Sequence, residues 1–240
     1  MVFLVPARNG SKRIIDKNLC PVLGKPLIEY TFDSIETLKN SIPAYVSTDD
    51  ERIKPLALAR GLFVIDRPPE LAADKTTMLD VLVHALDSMP AEDICVLYPT
   101  NPLRTSYHVL KAINLWEKPH PPQSTLMSVS PVDHRPYGLM EIGGNGFVKC
   151  LHSYGEFFYQ SQKTPPLYRA NGAIFIIPAK MIKERLINTQ LFCKQTIPFV
   201  MDSIAGLEID EYTDIVVIEA MMRYFGFRKA DSPALVAVNA

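Results

Sequence analysis

Short apolar runs alternate with helix-length segments through the first half of this chain, and that alternation restricts the fold more than any other feature. Residues 2–5 (VFLV) form a continuous apolar run that stops at Pro6, as expected of a parallel strand buried on both faces. Behind Gly24-Lys25-Pro26, residues Leu27, Tyr30, Ile35 and Leu38 fall roughly on one helical face, and Pro26 suits the first helical position. Residues 44–47 and 63–65 predict two further strands. Between them a helix capped by Thr48 or Asp49 runs to about Arg60, with Gly61 as its stop. A helix over 78–86, a strand over 94–98 and a helix over 107–116 continue the pattern. Strand and helix in this order predict an α/β fold, a mostly parallel sheet with helices on both faces. Such sheets bind ligands beyond the carboxyl ends of their strands, which puts the loops starting at Pro6, Ser47 and Pro99 on the functional edge.

The second half is less regular. KPHPPQ (118–123) is a breaker-rich connection, and 126–129 resumes a strand. GGNG (143–146) reads as a hairpin tip before an extended stretch over 147–151. An irregular segment then leads to Leu167, residues 173–177 form another apolar strand, and 181–186 and 214–224 read as helices. The organisation this predicts is a single domain over 1–228, with an excursion from the sheet at about 132–168 and a frayed tail over 229–240.

Charge bears directly on function. The formal net charge is −1, with 48% apolar and 21% charged residues, so no general positive field exists to attract nucleic acid or an anionic membrane. A polyanionic ligand has to be held by a few placed cations. Cys20, Cys95, Cys150 and Cys193 are widely spaced and form no CxxC pair, which reads as reduced thiols in a cytoplasmic protein. The opening apolar run is too short for a signal sequence, and no run reaches 18 apolar residues, so a soluble protein is expected. The five histidines show no HxxxH spacing, and no Ser/His/Asp or Cys/His arrangement is evident.

The segment PARNGSKRIIDKN (6–18) carries the most chemistry. It follows a buried strand and sets Arg8, Lys12, Arg13 and Lys17 among Asn9, Gly10 and Ser11. A turn of small residues can aim backbone N–H groups at phosphate oxygens while cations neutralise charge that develops in phosphoryl transfer. The spacing is neither GxxxxGK[ST] nor GxGxxG.

That segment resembles the PARxGSKRxxxKN opening of the acylneuraminate cytidylyltransferases, and the resemblance continues in order through GKPLIEYT, VSTDDERI, RPPELAADKTT, YPTNPLRT, YRANGAIFI and LEIDEYTD. The resemblance implies a Rossmann-like nucleotidyltransferase fold with a small dimerisation excursion. It also implies transfer of CMP from CTP to the anomeric hydroxyl of a nonulosonic, sialic-acid-like sugar acid, with release of pyrophosphate. Arg8 and Lys17 would contact triphosphate, Asn18 would help hold the nucleotide, and Ser11 would lie in the loop. Arg13 is either a second phosphate contact or a surface charge. Thr77, with Thr76, falls near the cytosine and ribose by position, or caps the helix that begins near Met78.

Arg104 either presents a fork to the sugar carboxylate or a phosphate, or ties its loop to the following helix. Tyr98 stands where sialic-acid enzymes have glutamine, and tyrosine there resembles the pseudaminic branch. Arg169 and Asn171 would face the sugar acid, where YRANGAIFI resembles the sialic and legionaminic branch. Asp210 and the longer Glu208 alternate around Ile209, so an extended strand would point both carboxylates one way, able to hold Mg²⁺ or Mn²⁺. Read without the family, the pair is a surface strand edge. Family members form homodimers through the excursion, whose aromatic stretches HRPYG and EFFYQ read either as interface anchors or as cover for the protomer's own core. Other readings are the same reaction on pseudaminic or deoxy-octulosonic acid, a nucleotide-sugar glycosyltransferase, and a weakly catalytic homologue.

Overall fold

The computed structural model describes residues 1–132, 139–144, 146–150 and 166–226. The strands are β1 (Val2–Pro6), the short pair β2 (Pro21–Val22) and β3 (Lys25–Pro26), β4 (Ala44–Thr48), β5 (Phe63–Asp66) and β6 (Asp93–Val96). After these come β7 (Thr125–Pro131), the hairpin β8 (Met140–Ile142) and β9 (Val148–Cys150), β10 (Tyr168–Pro178) and β11 (Thr196–Val200). The helices are α1 (Leu27–Ile35), α2 (Ile53–Ala59), α3 (Pro69–Ala72), α4 (Met78–Leu86), α5 (Ser106–Trp116), α6 (Ala179–Lys183) and α7 (Tyr212–Tyr224).

The seven-stranded sheet has the order β11-β7-β10-β6-β1-β4-β5. β1 runs parallel to β4 and β6, β4 to β5 and β11 to β7, while β10 is antiparallel to both of its neighbours. Alternation along β1 assigns the two faces. Phe3 and Val5 pack with α1, α2 and α5 through Phe32, Ala57 and Val109, whereas Val2 and Leu4 pack with α4 and α6 through Leu82 and Ile182. A strand buried on both sides must be apolar at every position, and all five residues of β1 are buried.

Two sequence expectations change here. Residues 168–172 do not merely precede a strand, because β10 already starts at Tyr168. Its pairing with β7 is irregular. Between the Ala170–Val129 and Phe175–Met127 pairs β10 advances five residues while β7 advances two. β11 is an additional strand, whose Pro198 is tolerated because β11 lies at the sheet edge. The motifs HRPYG and EFFYQ and the tail 229–240 lie outside the described residues. No described helix is long and apolar enough to cross a membrane, and all four cysteines are free.

A third apolar cluster lies off the sheet and joins Ile14 of the basic loop, Leu27, Leu103, Ile209, Ile218 and Met222. It brings the segment before α1, the loop before α5 and the segment before α7 onto one small core. Close approach continues along the chain before α7. A Cβ on Gly206 would collide with Ser130 Oγ and lie 2.7 Å from Asn171 Nδ2, so the backbone there touches the sheet where no side chain fits.

Arg104 is only 2% exposed. Its guanidinium donates to the carbonyls of Tyr98 at 3.0 Å and Ala173 at 2.7 Å and to Thr31 Oγ1 at 2.7 Å. These bonds fasten the end of β6, the middle of β10 and helix α1 to one planar group. Burial lowers its pKa to about 10, still high enough to keep it charged at neutral pH. Truncation would orphan buried acceptors and leave a cavity, so Arg104→Ala should cost on the order of 3 kcal/mol in urea unfolding. A variant as stable as the wild type would show that the guanidinium is not the tie.

Candidate functional site

The loop after β1 is tethered by hydrogen bonds to the rest of the protein. Asn9 N donates to Asp49 Oδ1 at 2.8 Å, beyond the end of β4, and Asn18 Nδ2 donates to Arg8 O at 2.9 Å across the base of the loop. At the far side Arg52 grips Asp16 through two bonds of 2.9 and 2.8 Å and also bonds Asp50. Hydrogen bonds from Arg52, more than its charge, hold both carboxyls below their usual range. Gly10 takes a positive φ of 74°, the tight turn that a small residue allows. Ser11 sits partly exposed in the same loop.

Four cations of this loop meet two carboxylates. Arg8 Nη1 lies 3.2 Å from Asp74 Oδ1 and also donates to Ala72 O at 3.0 Å, and Lys12 Nζ lies 2.5 Å from Asp74 Oδ2. Lys17 Nζ lies 2.9 Å from Asp210 Oδ1 and donates to Ile209 O at 3.0 Å, while Arg13 Nη1 lies 3.2 Å from Asp210 Oδ2. Burial pushes the Asp210 carboxyl up, but the hydrogen bond and charge of Lys17, then those of Arg13, outweigh it, and the group stays below the carboxylate norm.

The segment carrying Glu208 and Asp210 is not the strand that its alternation predicts. It is an irregular stretch between β11 and α7, because its backbone groups bond loops instead of a ladder. Ile209 N donates to Thr100 O at 2.8 Å, its carbonyl accepts from Lys17, and Asp210 N donates to Asp214 Oδ2 at 2.8 Å. The alternation survives, since Ile209 is fully buried while both acids are partly exposed. Glu208 accepts from Thr100 Oγ1 at 3.1 Å. Burial, then the charge of Asp210, pushes Glu208 above the usual carboxylate range, against the pull of Thr100, Lys17 and Arg169.

Tyr98 and Gly172 converge on the same carboxylate. A Cβ on Gly172, whose φ is 69°, would lie 3.4 Å from both Glu208 Oε1 and Tyr98 Cδ2. Burial, then the negative charge of Glu208, pushes the Tyr98 phenol well above its usual pKa. Arg169 is exposed on the outer part of β10 and adds positive charge to this side.

Three expected site residues turn their polar groups elsewhere. Arg104 is engaged in the core as described. Asn171 is fully buried, with Oδ1 accepting from Ser128 Oγ at 2.5 Å and Nδ2 donating to Ser130 Oγ at 2.9 Å. Thr77 caps α4, donating to Asp80 Oδ2 at 2.6 Å and accepting from Asp80 N at 3.2 Å. Each of these groups has acceptors or donors supplied by the protein itself.

One functional candidate was not singled out from the sequence. Arg67 is 5% exposed and donates to Ser47 Oγ at 3.2 Å and Ser47 O at 2.9 Å, with no carboxylate bonded to it among the described residues. Burial lowers its pKa to about 10, with the charge of Asp49 offsetting and that of Arg8 adding. Its signal was the arginine immediately after β5 at the head of RPPELAADKTT.

Two partly buried carboxylates, one pushed up by burial and then by its neighbour's charge, form a donor set that a hard cation would relieve. Among the described residues no group of three or more His, Cys, Asp or Glu side chains is placed to hold a metal alone. Phosphate or water oxygens would have to complete the shell.

The chain is 31% identical over 219 residues to an N-acylneuraminate cytidylyltransferase of Streptococcus agalactiae serotype III (strain NEM316), covering 90% of this chain and 51% of that protein. It thus spans about half the length of the N-acylneuraminate cytidylyltransferases it matches. It is 28% identical over 228 residues to the CMP-N,N'-diacetyllegionaminic acid synthase of Legionella pneumophila, covering 91% of this chain and 94% of that one. A solved CTP complex of CMP:2-keto-3-deoxy-manno-octonic acid synthetase superposes with a TM-score of 0.70 at 17% identity, over 93% of this chain and 98% of that chain, which supports the α/β nucleotidyltransferase fold. The match to the cytidylyltransferase family spans residues 2–169, and the chain belongs to that family.

Proposed function

We propose that the protein transfers CMP from CTP to the anomeric hydroxyl of a nonulosonic acid of the sialic or legionaminic type, releasing pyrophosphate. The observation that carries this reading is the meeting of four loop cations with Asp210 and Asp74 at the carboxyl edge of the sheet, in a chain of this family. The sugar oxygen forms the new bond to the α-phosphorus as the bond from that phosphorus to the bridging oxygen breaks, and the electron pair leaves with pyrophosphate. Transfer of this kind depends on positioning and on charge stabilisation more than on covalent chemistry. Arg8 and Lys17 hold the phosphates and offset charge on the leaving group. The loop anchored by Asn9, Asn18 and Asp16 keeps those cations in place, with Ser11 at its exposed turn.

Glu208 and Asp210 would hold Mg²⁺ or Mn²⁺. When bound, the ion neutralises phosphate oxygens and draws charge toward the leaving group. Arg169, exposed and close enough to act on the charge of Glu208, meets the sugar carboxylate with a bidentate fork. The similarity to the legionaminic acid synthase supports a sugar of that class. A second reading, pseudaminic acid, is favoured by Tyr98 alone, because a phenol cannot reproduce the donor and acceptor of an amide. The four free cysteines support a cytoplasmic setting.

A homodimer is part of the proposal. The hairpin of β8 and β9 exposes Met140 at 61%, Ile142 at 75% and Val148 at 63%, apolar surface of the kind that a second copy would cover. Light scattering at micromolar concentration should give twice the chain mass, and a monomer would remove this part of the reading.

The reaction is tested by pyrophosphate release with CTP, Mg²⁺ and a panel of sialic, legionaminic, pseudaminic and deoxy-octulosonic acids. Release should depend on one of the first two sugars and fall by about a thousandfold or more in Asp210→Ala, the range seen when a key electrostatic group is lost. Release that persists in that variant would refute the assignment of Asp210. Arg169→Ala should raise the KM for the sugar by roughly tenfold to a hundredfold and leave that for CTP within about twofold. Equal effects on both substrates would move Arg169 away from the sugar.

A further inference from the structure

We propose that Asp74 is a built-in competitor for the triphosphate, a fixed carboxylate that occupies Arg8 and Lys12 until the nucleotide displaces it. The inference rests on the cytidylyltransferase reading and deepens it. Asp74 is bonded to both cations at once, through Oδ1 to Arg8 and through Oδ2 to Lys12, as two oxygens of one phosphate group would be. The hydrogen bond from Lys12, more than any other influence, holds its carboxyl below the usual range, so it is a full negative charge at neutral pH.

The turn that carries Asp74 does not need these pairs. Thr76 N donates to Ala73 O at 3.1 Å and Thr76 Oγ1 donates to Glu70 O at 2.9 Å, which closes the turn around Asp74 from within. Thr77 then starts α4 with its own capping box. Arg8 also donates to Ala72 O at 3.0 Å, a bond that does not involve the carboxylate. The ion pairs are therefore separable from the local fold. They are also accessible, with side-chain exposures of 37% for Arg8, 76% for Lys12 and 46% for Asp74.

Asp210 also holds two cations, Lys17 and the exposed Arg13, and it is the Lys17 pair that differs. Lys17 is 14% exposed and is tied to the backbone of the acidic segment as well, so that pair belongs to the frame of the site. The cations of one loop are thus divided between Asp210, whose partner Lys17 is also fastened to Ile209 O, and a displaceable carboxylate, Asp74. The displaceable one keeps Arg8 and Lys12 from binding smaller anions and is given up only to a ligand carrying several charges. Its removal should strengthen anion binding, whereas removal of a residue that merely positions the loop would weaken it. The sign of the effect decides between the two.

The test is calorimetric titration of the full chain with inorganic tripolyphosphate in the absence of metal. Asp74→Asn should bind it roughly threefold to tenfold more tightly than the wild type, the size expected for releasing two exposed ion pairs. The gain should vanish when Lys12→Met and Arg8→Met are added, which separates local competition from a general change of net charge. Unchanged or weaker binding in Asp74→Asn, with melting temperature unaltered, would overturn the proposal, as would failure of either protein to bind tripolyphosphate. Should Asp74→Asn be poorly folded, the isosteric change is replaced by Asp74→Ser and judged by the same sign. CTP turnover measured alongside tells the two readings apart. Normal turnover with no tightening sinks only the competition, and absence of turnover with any sugar sinks the function on which it rests.

Discussion

The small apolar cluster off the sheet is the constraint on which the site depends. Ile14 comes from the basic loop and Ile209 from the acidic segment, 195 residues apart in sequence, and both are fully buried against α7. Neither segment belongs to the central sheet. Without this shared burial, nothing in the ladder would bring Lys17 to Asp210 or set Glu208 beside Thr100. The hydrophobic effect supplies the proximity, and ion pairs and hydrogen bonds then fix the orientation. The division is economical in physical terms, because exposed ion pairs alone contribute too little to hold two loops together.

Electrostatics within the site follow from that frame. The net charge of the chain is −1, yet its first loop carries four cations within ten residues. Two carboxylates, Asp74 and Asp210, offset part of that charge and leave the loop with a local positive surplus. Arg67 and Arg104 show the other solution. Both are buried without a bonded carboxylate and are satisfied by carbonyls and hydroxyls, and both have their pKa drawn down by burial. One of them lies beside Arg8 at the edge of the site, and the other is in the core between the sheet and α1.

Much of this was legible in the sequence. The alternation of apolar runs placed β1, β4, β5 and β6 and the helices between them, because parallel strands buried on both faces have an unambiguous pattern. The basic loop and the acidic alternation were legible as chemistry. Strand β11 was not, since a proline in a five-residue run argues against a strand unless its edge position is known. The orientations of Arg104 and Asn171 were hidden for a different reason. A buried polar side chain is defined by its acceptors, and two of those of Arg104 lie on β10 and α1, 69 and 73 residues away. Sequence similarity identifies such a residue as required without telling a ligand contact from a tie in the core.

The surplus in β10 has a bearing on how chains of this kind diversify. Ala170 and Phe175 face partners two residues apart on β7 and so lie on the same side of the sheet, although five residues separate them. In an uninterrupted strand they would lie on opposite sides. The irregularity thus works as a phase break between an inner half locked into the apolar layers and an outer half, Tyr168 to Ala170, that is exposed. Replacements in the outer half do not propagate into the packing of Phe175 or Ile176. Evolution can retune the rim while inheriting the interior unchanged, and one scaffold can then serve a series of related ligands.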